Sequence, residues 1–71
     1  MFYKTFSKRL TACGWTITEE SHGGDIYPHY FKYDHPADDE GRTIEIVCSS
    51  NKNGAPGHIL KAWQGGKPCR V

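Results

Sequence analysis

The segment Tyr27-Pro28-His29-Tyr30-Phe31-Lys32-Tyr33 restricts this chain more than any other. It crowds aromatic rings onto nearly consecutive positions, and such residues fit the pleated, half-buried surface of a strand. A strand is therefore expected over residues 26–34. Tyr27, His29, Phe31 and Tyr33 share one parity, and Ile26, Tyr30 and Lys32 share the other. Rings stand on both faces, so alternation alone leaves the inward face open. Pro28 has no N–H to give to a ladder, which points to an edge or a bulge near His29. A bulge would also re-aim the imidazole.

The flanking sequence supplies partners for this strand. Phe2, Phe6, Leu10 and Cys13 recur at near-helical spacing, with Tyr3 beside them. Lys4, Lys8 and Arg9 fill the other side, and Gly14 stands where a left-handed cap is expected. A helix is expected over about 4–13. Trp15-Thr16-Ile17-Thr18 alternates and reads as a short strand over 15–18. Residues 19–25 and 35–41 read as polar connections. Ile44, Ile46 and Cys48 alternate within a third strand over 42–48. Pro56 can open a helix, and Ile59, Leu60 and Trp63 give it an apolar face over 56–64. Residues 65–71 read as a tail. The expectation is an α+β, two-layer αβββα domain: a three-stranded antiparallel sheet with two helices on one face. Double-stranded-RNA-binding domains share this order.

Seventy-one residues make one small domain. No apolar run approaches the ~20 residues that span a membrane. The first residues lack the apolar stretch of a signal peptide. Three cysteines, odd in number and far apart, do not make a disulfide framework. A cytoplasmic protein with no membrane partner is expected. Net charge is only +1, but it is sorted along the chain. Lys4, Lys8 and Arg9 open the chain without an acid, all eight acids lie within 19–46, and the remainder is basic. Folding the two ends together would give a side able to face phosphate.

Several short stretches resemble HicA-type toxins, which are small mRNA interferases. They are Cys13-Gly14-Trp15, Pro28-His29-Tyr30-Phe31, His35-Pro36, the strand Arg42–Val47, and Ile59-Leu60-Lys61 before Ala62. The similarity runs over roughly residues 4–64. The sequence departs from the family where Tyr27-Pro28 replaces Gly-Ser before the histidine. A Ser-His pair does occur, at Ser21-His22, so the family histidine corresponds either to His29 or to His22. His29 has the better-matched surroundings. The resemblance implies the αβββα fold, cleavage of mRNA, and a HicB-type antitoxin that covers the histidine.

Metal-independent RNA cleavage needs a base for the 2′-hydroxyl proton, and a neutral imidazole serves. His29 is the catalytic candidate. Lys4, Lys8, Arg9, Lys32 and Lys61 are candidates for holding phosphate, and Tyr30 for stacking a base. Of Tyr30, Phe31 and Tyr33, two are expected in structural roles. Trp63 is expected in the core. No pair of cysteines or histidines has metal-ligand spacing, so neither a metal nor another cofactor is expected. The alternative is a non-catalytic binding protein on the same fold. It would hold RNA, or it would be a phage or mobile-element product that grips a host protein through Asp38, Asp39 and Glu40.

Overall fold

The computed structural model describes residues 1–65 and the backbone of Lys67–Cys69. One helix, α1 (Tyr3–Ala12), precedes five strands: β1 (Thr16–His22), β2 (His29–Asp34), β3 (Thr43–Ser50), β4 (Pro56–Gln64) and β5 (Lys67–Cys69). They form one antiparallel sheet in the order β1-β2-β3-β4-β5. Each strand pairs with its sequence neighbour, as short connections favour.

This corrects the expected αβββα architecture. There is one helix on the sheet among the described residues, not two, and the sheet has four substantial strands and a short fifth. The decisive change is Pro56–Gln64, which is a strand. A bulge explains why it reads as a helix. Val47 pairs with Lys61, whereas the next residue, Cys48, pairs with Ile59, so Leu60 is an extra residue. The extra residue sets Leu60 beside the inward Ile59 and leaves Trp63, on the outer face, four positions after Ile59. That spacing mimics a helical face.

The other boundaries shift for simpler reasons. β1 continues through Glu19–His22, where the sequence reads as a loop, because these residues pair with His29–Lys32. β2 starts at His29, so Ile26, Tyr27 and Pro28 lie outside it. β5 falls in the expected tail, of which Gly66, Arg70 and Val71 lie outside the described residues.

The core lies between α1 and one face of the sheet. Phe31, Tyr33, Ile44, Ile46, Cys48, Ile59 and Ala62 are buried there, with Tyr3, Phe6, Leu10 and Trp15 packed against them. Burying a large apolar side chain contributes roughly 1.5–3 kcal/mol. Tyr3 stacks on Phe31 with centroids 4.3 Å apart. The Tyr33 hydroxyl donates to Ser7 Oγ at 2.9 Å, which ties the helix to the sheet. Gly14 ends the helix at φ 95°, and a Cβ there would stand 2.8 Å from His35 Nε2. Both the backbone and the space therefore call for glycine.

Candidate functional site

His29 opens β2 with its side chain on the helix face of the sheet, in parity with Phe31 and Tyr33. It is only 6% exposed, and both ring nitrogens are engaged. Nε2 lies 2.9 Å from Ser50 Oγ at the end of β3. Nδ1 lies 2.6 Å from Nδ1 of His22, its register partner across β1. His22 Nε2 in turn lies 3.3 Å from Glu20 Oε2. His22 and Glu20 are open to solvent, with side chains 48% and 55% exposed. The two histidines expected as alternatives are thus a bonded pair. Two nitrogens bracketing a tetrahedral metal ion would stand about 3.3 Å apart, so this pair is closed to one.

Among the described residues, the opposite face of the sheet carries no helix. Cross-strand partners share a face, so the register defines its rows. One row runs Ser21, Tyr30, Val47, Lys61, and the next runs Glu19, Lys32, Glu45, Trp63. The Lys61 ammonium stands over the Tyr27 ring, 5.7 Å from its centroid, an ordinary cation–π distance. Tyr30 donates its phenol proton to Glu45 Oε2 at 2.9 Å. Burial, this bond to an anion, and the charges of Glu45 and Glu19 push the phenol up to about 12. Tyr27, Tyr30, Lys32 and Trp63 are half-buried and Lys61 is exposed. Tyr30, Lys32 and Lys61 thus meet on one surface, together with Tyr27 and Trp63.

Trp63 is on this outer face and not in the core. Sequence reasoning puts it inside because the bulge at Leu60, which reverses the parity of the later β4 residues, leaves no local mark. Phe31 and Tyr33 are buried on the other side. Lys4, Lys8 and Arg9 are exposed on α1, on the far side of the molecule from that surface. Lys4 lines a cavity of about 550 Å³ that also includes Phe2, Ser50, Asn51, Lys52 and His58. Among the described residues, no acid lines it.

The acidic loop is partly self-neutralised. Arg42 Nε lies 3.1 Å from Asp38 Oδ2 and 3.6 Å from Glu40 Oε2. Desolvation would raise the Asp38 carboxyl, but the Glu40 N–H and the Arg42 guanidinium hold it below the usual carboxylate range. Asp39 is exposed. His35 is a turn residue: its Nε2–H donates to Cys13 O at 2.8 Å and its Nδ1 accepts from Ala37 N at 3.1 Å. Among the described residues no cluster of three or more His, Cys, Asp or Glu side chains is placed to hold a metal. No helix among them is long and apolar enough to cross a membrane.

No family model, no curated protein and no solved structure matches this chain.

Proposed function

We propose that this chain is an RNA-binding protein that holds single-stranded RNA on the helix-free face of its sheet. The observation that carries this reading is the clustering of Tyr27, Tyr30 and Trp63 with Lys32 and Lys61 on that one face. Rings can stack unpaired bases, while neighbouring ammonium groups meet the phosphates between them. Single strands are the fitting target, because a duplex hides the faces of its bases. An mRNA segment qualifies. Glu19 and Glu45 share the surface, so affinity comes from stacking more than from charge. The free thiols of Cys13 and Cys48 suit a reducing, cytoplasmic setting.

The same geometry gives less support to mRNA cleavage by His29 acting directly on a ribose. A ring 6% exposed, with both nitrogens bonded, has no free edge for a 2′-hydroxyl. A HicB-type antitoxin would likewise find little of it to cover. The strand at Ile59-Leu60-Lys61 also removes the final helix that the HicA resemblance implies. A host protein gripping Asp38, Asp39 and Glu40 would meet two carboxylates already facing Arg42.

The test is fluorescence anisotropy with a labelled single-stranded RNA, with Trp63 emission as a second probe. Each of Tyr27→Ala and Tyr30→Ala is expected to cost about 1–3 kcal/mol of binding. Replacing Lys32 and Lys61 by Gln should flatten the salt dependence by about 0.7 log units per lost phosphate contact. Equal RNA affinity for the wild type and the double tyrosine variant would sink the reading.

A further inference from the structure

The hydrogen bonds from Glu20 to Ser50 have a direction, and one end fixes it. An ionised carboxylate only accepts, so His22 must present N–H at Nε2 to Glu20. In neutral His22 the other nitrogen, Nδ1, is then an acceptor. It lies 2.6 Å from His29 Nδ1, which must therefore carry hydrogen and donate. Neutral His29 is left with a bare Nε2, and Ser50 Oγ at 2.9 Å donates to it. With both imidazoles neutral, the reverse chain would aim a lone pair of His22 at the Glu20 carboxylate. A hydroxyl bonded to the bare nitrogen of an imidazole, whose second nitrogen is held by an orienting group, is the arrangement that activates a nucleophile.

The surroundings fit that use. His29 is 6% exposed, whereas Ser50, bonded at its Nε2, is exposed. Ser50 lines the cavity of about 550 Å³ that holds Lys4 and Lys52. Two ammonium groups without a lining acid among the described residues favour an anionic guest. A partner for the buried imidazole alone would not require a serine at the mouth of a cationic cavity.

We propose that Ser50 is a nucleophile activated by a Glu20–His22–His29 relay, and that the cavity beside it admits a small anionic carboxylic ester for hydrolysis. Ser50 Oγ attacks the carbonyl carbon and its proton passes to His29 Nε2. His22, held by Glu20, accepts the hydrogen bond from His29 Nδ1–H and steadies the resulting imidazolium. Collapse breaks the bond to the leaving alcohol, which departs with the proton from His29. Water then gives a proton to His29 and attacks the acyl carbon. The acid leaves and Ser50 recovers its proton. His29 is catalytic here, while His22 and Glu20 are positioning residues. The site is on the helix side of the sheet, so its fate is separate from that of RNA binding on the other face.

The test uses the full chain with a fluorophosphonate probe, and separately with 4-nitrophenyl hemisuccinate and neutral 4-nitrophenyl acetate. Peptide mass mapping should find the phosphonate on Ser50, and Ser50→Ala should lose both adduct and ester turnover. His22→Phe replaces an exposed side chain. It should lower kcat about a hundredfold, with KM unchanged and a cooperative melt retained. Lys4→Ala with Lys52→Ala should raise KM for the hemisuccinate and leave that for the acetate. No adduct on Ser50 in the folded wild type, or full ester turnover in Ser50→Ala, would overturn the proposal.

Discussion

Cys48 and Cys13 show how far one residue's environment decides its chemistry. Cys48 is fully buried in the middle of the sheet, and burial pushes its thiol up to about 11. The thiolate is the reactive form, so Cys48 is chemically silent in the folded protein. Cys13 caps the helix and is exposed. Iodoacetamide at pH 8 followed by peptide mass mapping should alkylate Cys13 readily, and Cys48 only after denaturant is added. Prompt modification of Cys48 in the native protein would mean that the core opens far more easily than its packing implies. The candidate site is only partly legible at this scale. Alternation puts Tyr30 and Lys32 on one face, as observed, and opposes them to His29. The partners of His29 are hidden, because His22 and Ser50 reach it only through strand register. No local spacing encodes a contact between β1, the first residue of β2 and the last of β3.

The elements divide by how regular their burial is. β2 and β3 alternate without interruption on the core side, through Phe31 and Tyr33 and through Ile44, Ile46 and Cys48. These strands and α1 are readable in the sequence, apart from their ends. β1 reads too short because every residue in it is exposed, so no apolar alternation marks Glu19–His22. β4 reads as a helix because the added residue, Leu60, completes an apolar set with Ile59 and Trp63 that in the strand is split between two faces and a bulge. Two single-residue deletions in β4 should therefore behave differently. Deleting Leu60 keeps Ile59 and Ala62 inward and Lys61 outward, and should leave a folded protein with a cooperative melt. Deleting Ala62 instead turns Trp63 toward the core and Gln64 away from its place, and should abolish the melt. Equal tolerance of the two deletions by circular dichroism would contradict the bulge as the cause.

For the whole molecule, burial of ionisable groups sets an alkaline limit. Cys48 is raised from 9.0 to about 11 and Tyr30 from 10.0 to about 12, each chiefly by desolvation. Tyr33 is raised as well, again mainly by burial. Each stays protonated in the folded chain after the unfolded chain has lost its proton. The unfolded state then binds fewer protons, so stability falls as pH rises. The contribution of Cys48 is complete below pH 9.0 and lost on the way to about 11, with that of Tyr30 following. Urea midpoints should decline from about pH 9 upward, and Cys48→Ala should blunt the first part of that decline. At strongly acid pH the Asp38–Arg42 pair is lost. The depressed carboxyl contributes above its unfolded range, and that contribution disappears as pH falls through its folded one.

β1 also matters beyond the fold it completes. Among the described residues its outer side is a row of backbone groups without a neighbouring strand, on a molecule 38 Å long and 22 Å across. Such a border invites a second copy to add its own border and begin a fibre. Here the invitation is withdrawn by adjacent carboxylates, Glu19 and Glu20, and by the irregular register between Ile17 and Glu19. Two copies approaching along this side would bring like charges together on a line that does not run straight. Neutralising the pair to glutamine removes the first of these guards, and turbidity on concentration is where its absence would first be seen.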